Sequence, residues 1–73
     1  MESIVLDDGI EYYIIDTEVI DNVEYTMFSN IDDDSDICFR KTIIENNESI
    51  YIGLDDKNEF DKVFLTFTKK HIK

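Results

Sequence analysis

The sequence predicts an α+β fold: an antiparallel β-meander of about five strands with one C-terminal amphipathic helix packed on one face. Three observations predict it. Between residues 3 and 54, short apolar runs alternate with polar residues, the period of half-buried strands. Brief clusters of Asp, Asn and Gly join the runs, and links that short connect antiparallel neighbours, not parallel ones. Beyond residue 55 the apolar spacing changes to three and four, the period of a helix face. At 73 residues, the chain is expected to form a single domain over 1–73.

The elements follow in order. Ser3–Leu6 is β-prone and ends at Asp7-Asp8-Gly9, a hairpin signal because Gly accepts positive φ. In the next run Ile10, Tyr12 and Ile14 can share one face, with Glu11 and Tyr13 on the other, and the strand can continue to Val19. Asp21-Asn22 reads as a second turn. Val23–Phe28 alternates, with Val23, Tyr25 and Met27 expected inward. Residues 29–36 hold an Asp cluster and are expected to form a loop. Ile37–Ile44 is a fourth strand with Ile37 and Phe39 inward; Arg40-Lys41 break its alternation, which suggests a bulge. Glu45-Asn46-Asn47-Glu48 is a third turn, and Ser49–Leu54 a fifth strand. A helix is predicted over about 56–70. Asp56 and Glu59 have capping-box spacing, and Phe60, Val63, Phe64, Phe67 and His71 lie on one face. Acids at its start and lysines at its end suit the helix dipole.

Composition narrows the function classes. The chain has 18 Asp and Glu against 7 Lys and Arg, a net charge of −11, with one Cys, no Pro and no Trp. One Cys cannot form an internal disulfide framework, and the unpaired thiol suits a reducing compartment. So few bases argue against direct nucleic-acid binding. Nothing in the opening MESIVLDDG reads as a secretory signal, and no apolar run is long enough to cross a membrane. A cytoplasmic location is expected. A core this small must be dense, and the chain supplies 12 Ile, 5 Phe and 4 Tyr with no Ala. Charge repulsion opposes compaction, so stability is expected to rise with salt, which screens it.

The charge is polarised. Residues 1–36 contain 12 acids and no Lys or Arg, whereas residues 37–73 contain 6 acids and 7 bases. Such a field attracts basic partners and repels nucleic acid and anionic membrane. The plainer reading is a solvated surface that keeps a small domain soluble.

In order along the chain, Ile4-x-Leu6-Asp7-Asp8-Gly9, Glu11-Tyr12-x-Ile14, Asp16, Glu24-Tyr25, the acidic run Asp32–Asp36, Arg40, and Asp55-Asp56-x-x-Glu59-Phe60-x-x-Val63-Phe64-x-x-Phe67 together resemble the YrzB-like family, short acidic bacterial proteins of a domain of unknown function. The likeness spans nearly the whole chain. It departs from the family at Asn22-Val23, where Gly is usual before Glu-Tyr, and at the basic ending Lys69–Lys73. The resemblance implies no activity, cofactor or catalytic residue.

No residue pattern points to catalysis. Nucleophilic chemistry needs a nucleophile, a base and an orienting group, and the chain has one Cys (Cys38) and one His (His71). Nearby carboxylates raise a thiol pKa. Asp32, Asp34 and Asp36 reproduce the opening of a calcium loop, but the Gly and Glu it requires fall on Ile37 and Ile43. No phosphate-cradling glycine loop exists with only Gly9 and Gly53. The chain is therefore expected to be no enzyme, with no cofactor and no metal site.

Two functional expectations remain. One is a protein–protein interaction or regulatory module, a monomer or homodimer that binds a protein partner, a basic one being among the candidates. It would use the acidic surface with Tyr13, Phe28 and Tyr51, which alternation places, with Ile15, opposite the inward set. The other is a nucleic-acid mimic, in which Glu11, Asp16, Glu18, Asp21, Glu24, Asp32, Asp33, Asp34 and Asp36 imitate phosphates. Outward residues two apart on a strand repeat at about 6–7 Å, close to the phosphate spacing of one strand of a duplex.

Overall fold

Tight turns set the course of the chain. The computed structural model describes residues 2–71. Its elements are β1 (Ser3–Val5), β2 (Glu11–Ile20), β3 (Val23–Asn30), β4 (Asp33–Glu45), β5 (Glu48–Ile52) and α1 (Lys57–His71). The strands form one sheet in the order β1-β2-β3-β4-β5, every neighbour antiparallel. The meander with one C-terminal helix is therefore the observed fold.

Each hairpin uses a backbone suited to right-handed twist. Asp21 and Asn22 have φ of 51° and 67°, and Asn46 and Asn47 have 51° and 66°. Two successive positive φ values define the two-residue turn that fits a twisted hairpin. Asp and Asn tolerate this region better than other side chains. The first hairpin is wider. Gly9 N–H donates to Leu6 O at 3.0 Å and Leu6 N–H to Ile10 O at 3.1 Å, with Gly9 at φ 78°. That is a three-residue loop closed by a glycine bulge.

Two expectations about β4 are corrected. Register is regular through Arg40 and Lys41. Their two successive polar side chains simply face opposite sides of the sheet, and each finds a partner there: Asp7 for Arg40, Glu59 for Lys41. The bulges lie elsewhere, at Ile15 in β2 and between Ser29 and Asn30 of β3. At the second, Asn30 pairs with Asp33 and Ser29 with Ile37, so residues 34–36 arch out of the ladder. The expected loop over 29–36 is thus mostly strand around a bulge. Side chains satisfy the displaced backbone: Asp33 Oδ1 accepts from Ser35 N–H at 3.1 Å, and Asn30 Oδ1 from Asp32 N–H at 2.8 Å.

The helix starts at Asp56, whose Oδ1 accepts the Asn58 N–H at 2.8 Å. Such a cap stabilises a helix by about 1 kcal/mol. The reciprocal half of the capping box is absent. Glu59 instead turns to the sheet and accepts the Tyr25 hydroxyl at 2.6 Å and the Lys41 Nζ at 3.4 Å.

The core is divided between the two faces of the sheet. On the helix face, Val63 and Phe67 are buried against Tyr25 and Phe39, flanked by Ile20, Val23, Met27 and Leu54. On the other face, Phe28 is fully buried among Leu6, Tyr12, Ile4, Ile14, Cys38 and Tyr51. Among the described residues, no second layer covers that side. The sheet curls over it, so that Tyr12 and Tyr51 meet the Phe28 ring edge-on at 6.3 Å and 5.3 Å. Asp7, in the first hairpin loop, reaches Arg40 of β4 at 3.8 Å. The expectation that Phe28 is exposed is therefore wrong: alternation put it opposite the helix correctly, but strand curl makes that side a second core. Tyr12 and Ile14 belong to this second core, and Ile10 is exposed.

Candidate functional site

The polarised charge of the sequence is redistributed by the helix. Lys70 Nζ lies 2.8 Å from both Asp16 and Glu18, and Lys62 Nζ lies 2.7 Å from Asp21. His71 Nε2 also reaches Asp16, at 2.9 Å. The Lys70 hydrogen bond holds the Asp16 carboxyl below the usual carboxylate range against a desolvation cost, with help from His71 and the Thr17 N–H. Lys62 does the same for Asp21. The Tyr25 hydroxyl, followed by Lys41, lowers Glu59.

Three residues of the proposed acidic row are thus neutralised in place. The row is also split. Register places Asp16 and Glu18 on the helix face, while Glu24, opposite Val19, faces the other way. Glu11 accepts the Ser3 hydroxyl at 2.6 Å at the far end of β2. The acidic surface that stays together is the arch. Asp32, Asp33 and Asp34 are exposed there, and Asp36 accepts a hydrogen bond from Asn30 Nδ2 at 3.2 Å. Among the described residues, no group of three or more His, Cys, Asp or Glu is placed to hold a metal ion.

The three aromatic candidates separate. Phe28 lies in the second core and Tyr51 packs half-buried against it. Tyr13 stays exposed, but opposite Ser29 it shares the helix face. The bulge at Ile15 reverses the parity of β2, which strict alternation could not anticipate.

A different apolar surface takes their place. Phe60 and Phe64, expected in the core, are 41% and 47% exposed, and Ile37 of β4 is 41% exposed. The two helix rings stack with centroids 6.1 Å apart and meet Phe39 edge-on at 5.8 Å and 6.2 Å. Beside them, an apolar cleft of about 270 Å³ opens between the helix and the sheet. Met27, Ile37, Phe39, Phe64 and Phe67 line it, with His71 at its margin. No sequence signal marks this: Phe60, Val63, Phe64 and Phe67 share one helix face, and which of them are covered depends on the sheet beneath.

The strand beneath the aromatic pair has an open edge. Residues flanking a two-residue hairpin exchange both backbone hydrogen bonds, and bonded and non-bonded pairs then alternate. Counting from Glu45 and Glu48, residues 41, 43 and 45 of β4 bond to β5. Counting from Ile20 and Val23 through β3, residues 38, 40 and 42 bond to β3. Both counts leave Ile37 and Phe39 pointing N–H and C=O away from β3. On that side β5 stops pairing at Lys41. Among the described residues, no backbone hydrogen bond joins Gly53–Asp56 to β4. The Phe39 carbonyl accepts Arg40 Nη1 at 3.0 Å.

Cys38 and Tyr12 lie on the opposite face. Burial is the main cause that pushes the Cys38 thiol up, with Asp36 and Asp8 adding to it. Tyr12 donates to Asp8 at 2.8 Å, and that bond with burial raises its pKa to about 12. In both groups the shift favours the protonated form.

The arrangement is that of a small acidic α+β domain with an uncovered aromatic cleft. Compared with known protein families, curated proteins and solved structures, the chain matches none. No helix among the described residues is long and apolar enough to cross a membrane.

Proposed function

We propose that the protein is a non-enzymatic protein–protein interaction module, acting in the cytoplasm, that binds a basic partner at the aromatic cleft. The observation that carries this is the exposure of Ile37 and Phe64 in the cleft lining, with the exposed Phe60 stacked on Phe64, in a chain of net charge −11. Small charged domains gain nothing in solubility from a contiguous aromatic surface, and such patches mark contact sites. The charge favours a basic partner over a second copy, which would bring together two strongly negative molecules. The same reading places the chain beside the YrzB-like proteins on residue order alone and takes no activity from them.

The mimic reading has less support. It requires a continuous row of unpaired carboxylates, and Lys62, Lys70 and His71 occupy three of its members.

Immobilised protein and three variants separate the two readings: Phe60→Ser with Phe64→Ser, Ile37→Ala, and Asp32, Asp33, Asp34 and Asp36→Asn. Capture of a basic protein that survives high salt and is lost in the double Ser variant is the expected result. Capture of nucleic-acid enzymes that depends only on the Asp residues, and vanishes with salt, would overturn the cleft as the contact site.

A further inference from the structure

We infer that the partner binds as an extended basic segment that adds a strand to the open edge of β4 at Ile37 and Phe39, beneath the Phe60–Phe64 pair. This rests on the interaction-module reading and specifies how that site is used.

Three features converge there. Ile37 presents both N–H and C=O to the open side, and Phe39 its N–H. Unpaired edge groups are a template for another strand, and peptide recognition by strand addition uses such groups for affinity and neighbouring pockets for selectivity. The pocket is the second feature. Phe60 and Phe64 meet Phe39 edge-on, and Ile37, Phe39 and Phe64 line the cleft, so side chains of an added strand on that face of the sheet would lie beside these rings. The third is charge. Asp33, Asp34 and Asp36 precede Ile37 on the same strand, with Asp32 in the turn just before it, at about 3.4 Å per residue of extended chain. A segment alternating apolar and basic residues would place one set against the rings and the other beside the arch.

The protein guards its other long edge differently. On the open side of β2, the Thr17 N–H is taken by Asp16 Oδ1 at 2.8 Å. On β4, Arg40 takes the Phe39 carbonyl. Among the described residues, Ile37 alone of these three keeps both groups without a partner. The arch at 34–36 ends regular pairing just beyond it, which limits any added strand to a short one and discourages open-ended stacking of copies.

The test uses a blocked peptide of alternating lysine and valine, followed by amide hydrogen exchange and chemical-shift titration of the whole chain. Binding should slow exchange of the Ile37 and Phe39 amides by about tenfold or more, the weight of roughly one hydrogen bond. The same peptide with every backbone nitrogen methylated keeps its side chains and should bind about tenfold more weakly. Ile37→Pro removes an N–H that points away from β3, a position where an edge strand tolerates Pro. It should abolish binding, whereas Ile37→Ala should weaken it only partly. Binding that leaves both amides unprotected, or equal binding by the methylated peptide, overturns strand addition. A helical lysine–leucine peptide that shifts Phe60 and Phe64 without protecting those amides also overturns it, and leaves the interaction module standing. Failure of every peptide, with capture unchanged in the Phe60 and Phe64 variant, overturns both.

Discussion

Tyr25 joins the sheet to the helix through a single oxygen. It is buried beneath α1, and its hydroxyl donates to Glu59, which also meets Lys41. Tyr25→Phe leaves the ring in place and removes that donor. A hydrogen bond to a charged group contributes about 1.5–3 kcal/mol, and partial exposure of Glu59 with Lys41 beside it places the expected loss near the low end. Urea unfolding measures it. The same pair shapes the pH response. Burial, then Glu59, raises Tyr25 to about 12, and the Asp8 bond, then burial, does so for Tyr12. A raised folded pKa means that the stabilisation is complete below the unfolded value near 10 and is lost as pH climbs through the folded one. Unfolding should therefore accompany tyrosinate absorbance between about pH 10 and 12. Asp16, Asp21 and Glu59 act in the opposite direction: their lowered values give stability above about pH 4 that fades on acidification. Phe28→Ala opens the second core and should cost about 3–5 kcal/mol. Phe64→Ser, at an exposed ring, should cost far less, which makes it usable as a binding variant.

Local chemistry governs the elements, and this is where sequence reading reaches furthest. Asp21-Asn22 and Asn46-Asn47 announce their turns because only a few side chains accept positive φ, and they do so without help from distant residues. Asn47→Gly removes the remaining steric penalty at φ 66°, and should raise the thermal midpoint with a gain of roughly 0.5–1 kcal/mol. Asp56→Ala should lower stability by about 1 kcal/mol through loss of the helix cap. The helix was legible because its apolar period is unmistakable. Less legible was which of its Phe residues would be covered, since that depends on the width of sheet beneath. Phe28 was misread for a related reason: alternation assigns a side, but curl decides whether that side is a surface. Glu59 was misread as a cap partner because Tyr25 lies 34 residues away, beyond any local pattern. The open edge at Ile37 follows from where β5 stops pairing, a fact carried by no single residue.

For the whole molecule, attraction and repulsion compete. Arg40, Lys41, Lys62 and Lys70 tie separate elements together. Exposed pairs of this kind contribute roughly 0–1 kcal/mol each, and salt weakens them. Against them stand 18 acids with only 7 bases to answer. Repulsion among the unanswered carboxylates should prevail, so the thermal midpoint should rise between low and moderate salt, where the Debye length shortens to about 8–10 Å. Lys70→Ala removes the counter-charge to both Asp16 and Glu18, and should steepen that rise.

The order in which the ion pairs are supplied has a consequence for biosynthesis. A ribosome delivers Asp16, Glu18 and Asp21 about forty to fifty residues before their answering cations, Lys62 and Lys70. Residues 1–36 carry no base at all. Until α1 follows, repulsion among those carboxylates opposes compaction of the strands that carry them. Arrival of the helix then brings the cations and the aromatic face together, so that neutralisation of β2 and closure of the helix-side core become one event.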